Sequence, residues 1–204
     1  MKQSLVIFLH GVGSNGDDLA PLGDVWRQTL PDTHFAAPNA PMPFAMGTGY
    51  QWFSLNGVTP GNRPQRVLAA REAFDGIINR LMTEQGMAAH PERVVLVGFS
   101  QGSIMALDAV ASGRWRFAAV VAFSGRLSAP LPLTPATGTP VLLIHGADDA
   151  VIPSWETERA GITLQELGVG VTTVILPGLG HALSGEGVAL AGRFISRTLA
   201  AVAK

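Results

Sequence analysis

Five short apolar runs, continuous rather than alternating, set the limits on what this chain can fold into. Residues 5–9, 94–97, 118–123, 141–144 and 171–176 are rich in Val, Ile, Leu and Phe with almost no polar interruption. A strand with one wet face alternates apolar and polar residues, whereas a strand buried on both faces does not. Between the runs lie stretches with helical spacing. In residues 65–81 the apolar positions are Val67, Ala70, Phe74, Ile77, Ile78 and Leu81, recurring every three or four residues. Residues 101–112 carry Ile104, Leu107 and Val110, with Gly113 placed as a stop. Residues 154–167 end before Gly168, and residues 188–202 repeat with Val188, Ala191, Ile195, Leu199 and Val202. Strand and helix in alternation predict an α/β fold, with a mostly parallel central sheet covered by helices on both faces. A length of 204 residues suits one domain over 1–204.

Composition narrows the function classes. Hydrophobic residues are 47% and charged residues 14% of the chain, which excludes a disordered polymer. The formal charge of −1 leaves no broad basic surface for nucleic acid or anionic lipid. With no cysteine, disulfides and thiolate metal sites are excluded, and a reducing compartment is suitable. The run at 5–9 is shorter than a signal core of ~7–15 residues and leads directly into His10-Gly11. No stretch reaches the ~20 apolar residues of a membrane span. The expectation is a cytoplasmic protein without stable membrane insertion.

The second run leads into Gly98-Phe99-Ser100-Gln101-Gly102, which reads G-x-S-x-G between a strand and a helix. In that context the serine occupies a strained turn and presents its Oγ, while the flanking glycines let strand and helix approach closely. The following helix start directs N–H groups towards developing negative charge. The competing reading is a plain glycine-rich turn. A serine nucleophile needs a base, and the base needs an orienting acid. Of five histidines, His145 and His181 follow Ser100 at useful distance. His181 lies in Pro177-Gly178-Leu179-Gly180-His181, past the last run and before the last helix, where loops carry function. His145 ends a run and leaves little chain in which to place the acid, so it reads as a packed histidine capping the strand. The acid precedes His181 in Ala147-Asp148-Asp149-Ala150. Composition leaves Asp148 and Asp149 even. Glu156 and Glu158 are expected on the solvated face of the next helix. A base must be neutral to act, so activity should fade in acid.

Acyl transfer through a tetrahedral intermediate also needs oxyanion donors. Gln101 follows the nucleophile and offers one N–H, and the glycine-rich stretch His10-Gly11-Val12-Gly13-Ser14-Asn15-Gly16 places Val12 as the second. That stretch lacks both the phosphate-loop lysine and the G-x-G-x-x-G spacing, and no paired-histidine metal motif is present. Residues 38–64 are long, aperiodic and rich in Pro, Gly and aromatic residues, which points to a functional segment. The proline-rich stretch 125–139 leaves no room for a helical lid, so an open site is expected.

Together these residues resemble the phospholipase/carboxylesterase family of α/β-hydrolases, which includes the acyl-protein thioesterases. The similarity covers nearly the whole chain. It runs through Phe8-Leu9-His10-Gly11-Val12-Gly13, Ala37-Pro38-Asn39-Ala40-Pro41, Trp52-Phe53, Gly98-Phe99-Ser100-Gln101-Gly102-Ser103, and His145-Gly146-Ala147-Asp148-Asp149-Ala150-Val151-Ile152-Pro153. The resemblance selects Asp149 as the acid. It supports Val12 and Gln101 as oxyanion donors, and it implies hydrolysis of carboxylic esters, thioesters or lysophospholipids without a cofactor or catalytic metal. Two departures bear on substrate choice: Ser54 stands where the family often has aspartate after Trp-Phe, and residues 42–51 are shortened and altered. Phe44, Met46, Trp52 and Phe53 are the candidates to line the acyl site, with ordinary loop packing as the alternative.

Three functions are compatible with this reading. The first is a serine carboxylesterase for short- to medium-chain esters, acting on a small-molecule ester or thioester. The second is a lysophospholipase or acyl-protein thioesterase with a long-chain groove. The third is a hydrolase-fold binding protein without catalysis, disfavoured because Ser100, Asp149 and His181 are all present. Apolar residues in the long segment would suit a homodimer contact.

Overall fold

The computed structural model describes residues 3–202. In chain order the elements are β1 (Ser4–Leu9), α1 (Pro21–Trp26), β2 (Thr33–Ala36), β3 (Met42–Pro43), β4 (Tyr50–Gln51), α2 (Arg63–Glu84), β5 (Val94–Phe99), α3 (Gln101–Ala111), β6 (Ala119–Phe123), β7 (Val141–Gly146), α4 (Trp155–Glu166), β8 (Val171–Leu176) and α5 (Gly185–Val202). Six strands form one sheet in the order β2-β1-β5-β6-β7-β8, and every pairing in it is parallel. The hairpin β3-β4 stands apart.

The strand β1 shows why the apolar runs do not alternate. Leu5, Ile7 and Leu9 pack on one face with Phe74 and Ile78 of α2, Met105 and Ala109 of α3, and Leu164 of α4. Val6 and Phe8 pack on the other with Trp26 of α1 and Ala191 and Ile195 of α5. Both faces are therefore covered, as expected of a parallel sheet.

Helix α3 is buried along its whole length, and it includes a charge. Asp108 has a fully buried side chain that accepts from Arg71 Nε and Nη2 at 2.9 and 2.7 Å, and from Arg114 Nη1 at 2.8 Å. Arg114 also donates through Nε and Nη2 to Asp75 of α2, both at 3.0 Å. A buried carboxylate is tolerated when it is paired and its lone pairs are filled. The network ties α3, whose first turn follows Ser100, to α2.

The structure adds elements that the runs do not announce. The strand β2 has four residues, mixed in polarity, and pairs only with β1 at the sheet edge. Residues 125–139 contain no helix, so no helical lid is built there. Among the described residues no helix is long and apolar enough to cross a membrane.

Candidate active site

The loops that follow β1, β5, β7 and β8 meet at the carboxyl edge of the sheet, where parallel α/β folds place their sites. Ser100 follows β5 directly, with φ 53° and ψ −116°. This left-handed backbone costs a non-glycine residue on the order of 1–3 kcal/mol. Two contacts hold it. Its N–H donates to Phe123 O at the end of β6, at 3.0 Å, and the helix behind it is clamped by glycines. A Cβ on Gly102 would lie 1.9 Å from Leu9 O, and one on Gly98 would lie 2.5 Å from Ser103 N. Both obstacles are backbone, so the close approach of β1, β5 and α3 requires glycine at each place.

His181 lies beyond β8, and its loop rests on the one after β7. A Cβ on Gly146 would lie 2.1 Å from Leu179 O. The approach brings three side chains into a row. His181 Nδ1 is 2.7 Å from Asp149 Oδ2, and His181 Nε2 is 3.0 Å from Ser100 Oγ. A carboxylate only accepts, so Nδ1 carries the hydrogen and Nε2 is free to accept from the serine hydroxyl. The Phe99 ring, with its centroid 5.0 Å from that of the imidazole, packs against the histidine. Burial alone would raise the Asp149 carboxyl. The bond from His181 and the N–H groups of Ile152 and Val151 outweigh burial and hold it below its usual range.

The neighbouring acids separate cleanly. Asp149 is buried and Asp148 is exposed, so only one of the pair faces His181. His145 is fully buried and packed at the end of β7. It also reaches Asp149, with Nε2 3.0 Å from Oδ2, a contact that the sequence did not announce. The expectation for Glu156 is corrected: it is 6% exposed. Its carboxylate lies 3.2 Å from Arg126 Nη1 and also pairs with Arg159. The outward position at the start of α4 falls instead to Trp155, which is 51% exposed.

The loop after β1 runs alongside the serine turn. A Cβ on Gly11 would be 3.2 Å from Ser100 Cβ, which puts the backbone just before Val12 against the serine. Among the described residues the Val12 N–H has no acceptor. The Gln101 N–H is in the first turn of α3, where helices leave their donors unpaired. His10 braces the loop from below: Nδ1 donates to Gly11 O at 2.7 Å, and Nε2 accepts from Ala40 N–H at 2.9 Å. Burial lowers the His10 pKa despite the Gly11 carbonyl and Asp18, which act to raise it. The ring is therefore held neutral.

The four lining candidates divide. Trp52 and Phe53 are 1% and 3% exposed and belong to the core with Leu9, Val67 and Phe74. They do not offer a surface for ligand, which corrects that expectation. The cause is a clamp. Gln101 Oε1 accepts from Trp52 N–H at 2.7 Å, and its Nε2 donates to Phe53 O at 2.8 Å, while Trp52 Nε1 donates to His10 O at 2.9 Å. Both rings are thereby drawn inwards, and the loop after β1 is tied to the serine turn. Phe44 is half-buried against Gly13 of the loop after β1, 3.3 Å from where a Cβ would be. Met46, 76% exposed, stands near the tip of the β3-β4 hairpin.

An acceptor nitrogen on a hydroxyl, a carboxylate behind it and free N–H donors beside it form the arrangement that nucleophilic acyl transfer requires. Comparison with known proteins points the same way. The chain matches the Phospholipase/Carboxylesterase family over residues 1–199. Esterase YpfH of Escherichia coli (strain K12) is 34% identical over 189 residues, covering 93% of this chain and 80% of the relative. Acyl-protein thioesterase 1 of Gibberella zeae is 27% identical over 197 residues, covering 87% and 83%. Among solved structures, esterase PE8 superposes with a TM-score of 0.89 at 38% identity, covering 97% of this chain and 93% of that one. SOBER1 of Arabidopsis thaliana gives a TM-score of 0.80 at 25% identity, covering 97% and 100%. With an all-parallel sheet, a serine turn after β5 and these likenesses, the chain belongs to the phospholipase/carboxylesterase family of α/β-hydrolases.

Proposed function

We propose that the protein is a serine carboxylesterase for short- to medium-chain esters, with Ser100 as nucleophile, His181 as general base and acid, and Asp149 as the orienting carboxylate. The observation that carries the reading is the row Asp149 Oδ2, His181 Nδ1, His181 Nε2 and Ser100 Oγ, with separations of 2.7 and 3.0 Å. Ser100 Oγ attacks the ester carbonyl as His181 Nε2 takes its proton. The N–H groups of Val12 and Gln101 receive the oxyanion, and the intermediate collapses to an acyl-serine as His181 protonates the leaving alcohol. Water then repeats the sequence and releases the acid. Asp149 stays ionised throughout and stabilises the imidazolium.

Two features favour a short acyl group. No helical lid is built over residues 125–139, and Trp52 and Phe53 are turned into the core rather than along a groove. The alternative is a long-chain lysophospholipase or thioesterase, supported by the likeness to acyl-protein thioesterase 1. The test is hydrolysis of a p-nitrophenyl ester series by wild type and Ser100→Ala, alongside a long-chain acyl thioester and a lysophospholipid. Activity lost in Ser100→Ala, with an optimum below about eight carbons, is expected. A steep rise beyond that length transfers the reading to the long-chain alternative. No turnover of any of these substrates leaves a binding protein.

A further inference from the structure

Arg126 is shielded from water with less than a full set of partners. Its side chain is 13% exposed, and its Nε is the one buried side-chain nitrogen or oxygen among the described residues without a hydrogen-bond partner. Such groups are rare in folded proteins and call for an explanation. Its ion pair is with Glu156, whose Oε1 lies 3.2 Å from Nη1. The other oxygen of Glu156 is taken by Arg159. A third guanidinium, that of half-buried Arg63 in the first turn of α2, is near enough to respond to both. Burial and then the Arg126 charge lower the Arg63 pKa, and Glu156 acts to raise it. One carboxylate therefore serves three cations. Charges withdrawn from water need pairing, and like charges repel more strongly there than in solvent. The surplus suits an anionic ligand.

The cluster stands where segments bordering the serine turn meet. Phe123 O, at the end of β6, accepts from the Ser100 N–H and from Ser103 Oγ. Two residues on, a Cβ on Gly125 would lie 2.5 Å from Ser103 Cβ, and Arg126 follows after one Cα step of about 3.8 Å. Glu156 and Arg159 come from α4, whose Thr157 donates to Gly125 O at 3.4 Å. Arg63 ends the segment in which Gln101 holds Trp52 and Phe53. We propose that Arg126 and Arg63 form a subsite for a carboxylate carried by the ester substrate, away from the bond that is cleaved. The planar fork of a guanidinium matches a carboxylate in shape as well as charge. Arg126 supplies the fork and Arg63 adds charge, while Glu156 steadies Arg126 and competes with the ligand for it. The proposal rests on the reading of the protein as a serine esterase and names its substrate class: acidic esters, such as monoesters of dicarboxylic acids.

The experiment measures kcat/KM for matched esters. Monomethyl glutarate, adipate and suberate are set against methyl pentanoate, hexanoate and octanoate, which tests a carboxylate on the acyl side. 4-Acetoxybenzoate is set against phenyl acetate, which tests one on the alcohol side. The readout is the ratio within each pair, which a loss of folded enzyme does not move. Wild type should prefer the carboxylate-bearing member by about tenfold or more in at least one pair, as expected for a hydrogen bond between charged groups. Arg126→Gln should lower that ratio about tenfold and Arg63→Gln about threefold. Glu156→Gln, which removes the competing carboxylate, should raise it about threefold, a change that a purely structural ion pair would not produce. If Arg126→Gln does not fold, the Arg63 and Glu156 variants decide. The absence of a preference in every pair overturns the proposal, as does a preference that these substitutions leave at the wild-type ratio. Binding is read separately: at constant ionic strength, adipate should raise the Tm of wild type and raise that of Arg126→Gln less. An Arg126-dependent rise without turnover of any ester would uphold the subsite and remove the esterase reading.

Discussion

Replacing Asp149 by asparagine isolates what the carboxylate does, because the shape is kept while one oxygen becomes a donor. In the wild type, Oδ1 is occupied by the Val151 and Ile152 N–H groups at 2.8 and 2.9 Å. The asparagine carbonyl will keep that place, since turning it would leave two donors, one of them buried, facing an NH2 group. The new NH2 group then faces His181 Nδ1, 2.7 Å from where Oδ2 stood. Two hydrogens cannot occupy that gap, so His181 moves its proton to Nε2. The nitrogen 3.0 Å from Ser100 Oγ becomes a donor and can no longer accept the serine proton. The wrong tautomer is worth up to ~10⁴ in kcat, or about 5.5 kcal/mol at about 1.36 kcal/mol per factor of ten. Asp148 is exposed, and its backbone N–H, bonded to Leu179 O at 2.9 Å, is untouched by a side-chain change. Asp148→Asn should therefore stay within about twofold, as surface substitutions usually do. The assay is steady-state ester hydrolysis of both variants, with active sites titrated. Equal losses, or more than a tenth of wild-type turnover in Asp149→Asn, would refute the reasoning.

Three further outcomes follow from the packing. Gly102→Ala places a methyl 1.9 Å from Leu9 O, where only backbone could yield; titratable active sites should fall by at least about tenfold. Gly170→Ala, which meets nothing within 4 Å, should keep them. Asp108→Ala leaves Arg71 and Arg114 partly buried without their shared partner. Removing one side of such a pair costs about 3–5 kcal/mol, which for a chain of this size lowers Tm by about 6–20 °C. A drop under about 3 °C by calorimetry would mean the network is solvated. His10 is held neutral by burial, so below about pH 6.5 the unfolded chain takes up a proton that the folded chain refuses. Stability should therefore fall as pH drops through 6.5 towards the lowered His10 value. The depressed Asp149 carboxyl adds a further loss below about pH 3.9. Urea midpoints between pH 7.5 and 5.5 should slope accordingly, and His10→Gln, though less stable, should flatten the slope.

The strands and helices that surround the site were legible because two-sided burial removes polar residues from a strand, and helical packing repeats every three or four positions. Leu5 to Leu9 and Val94 to Val97 show the first, and Phe74, Ile78 and Leu81 the second. The edge strand β2 was not legible, because Thr33 to Ala36 are few, mixed in polarity and at most half-buried, and read like loop. At the site, the legible positions were those where backbone geometry excludes alternatives. Gly98 and Gly102 mark the serine turn because a Cβ there would strike another chain segment. Composition left Asp148 and Asp149 open, since only the turn of the loop after β7 sends one inwards. Trp52 and Phe53 turn into the core for a related reason. Whether Trp52 lines a groove or fills the core depends on Gln101, whose side chain reaches back across 49 residues to hold the Trp52 N–H. Glu156 behaved likewise: a carboxylate at a helix start is normally solvated, and only the loop after β6 supplies the Arg126 that makes its burial tolerable. A local pattern records what the backbone demands at a position. The direction a side chain takes is set by partners distant in sequence, and in this protein two such partners, Gln101 and Arg126, stand just beyond the carboxyl ends of β5 and β6.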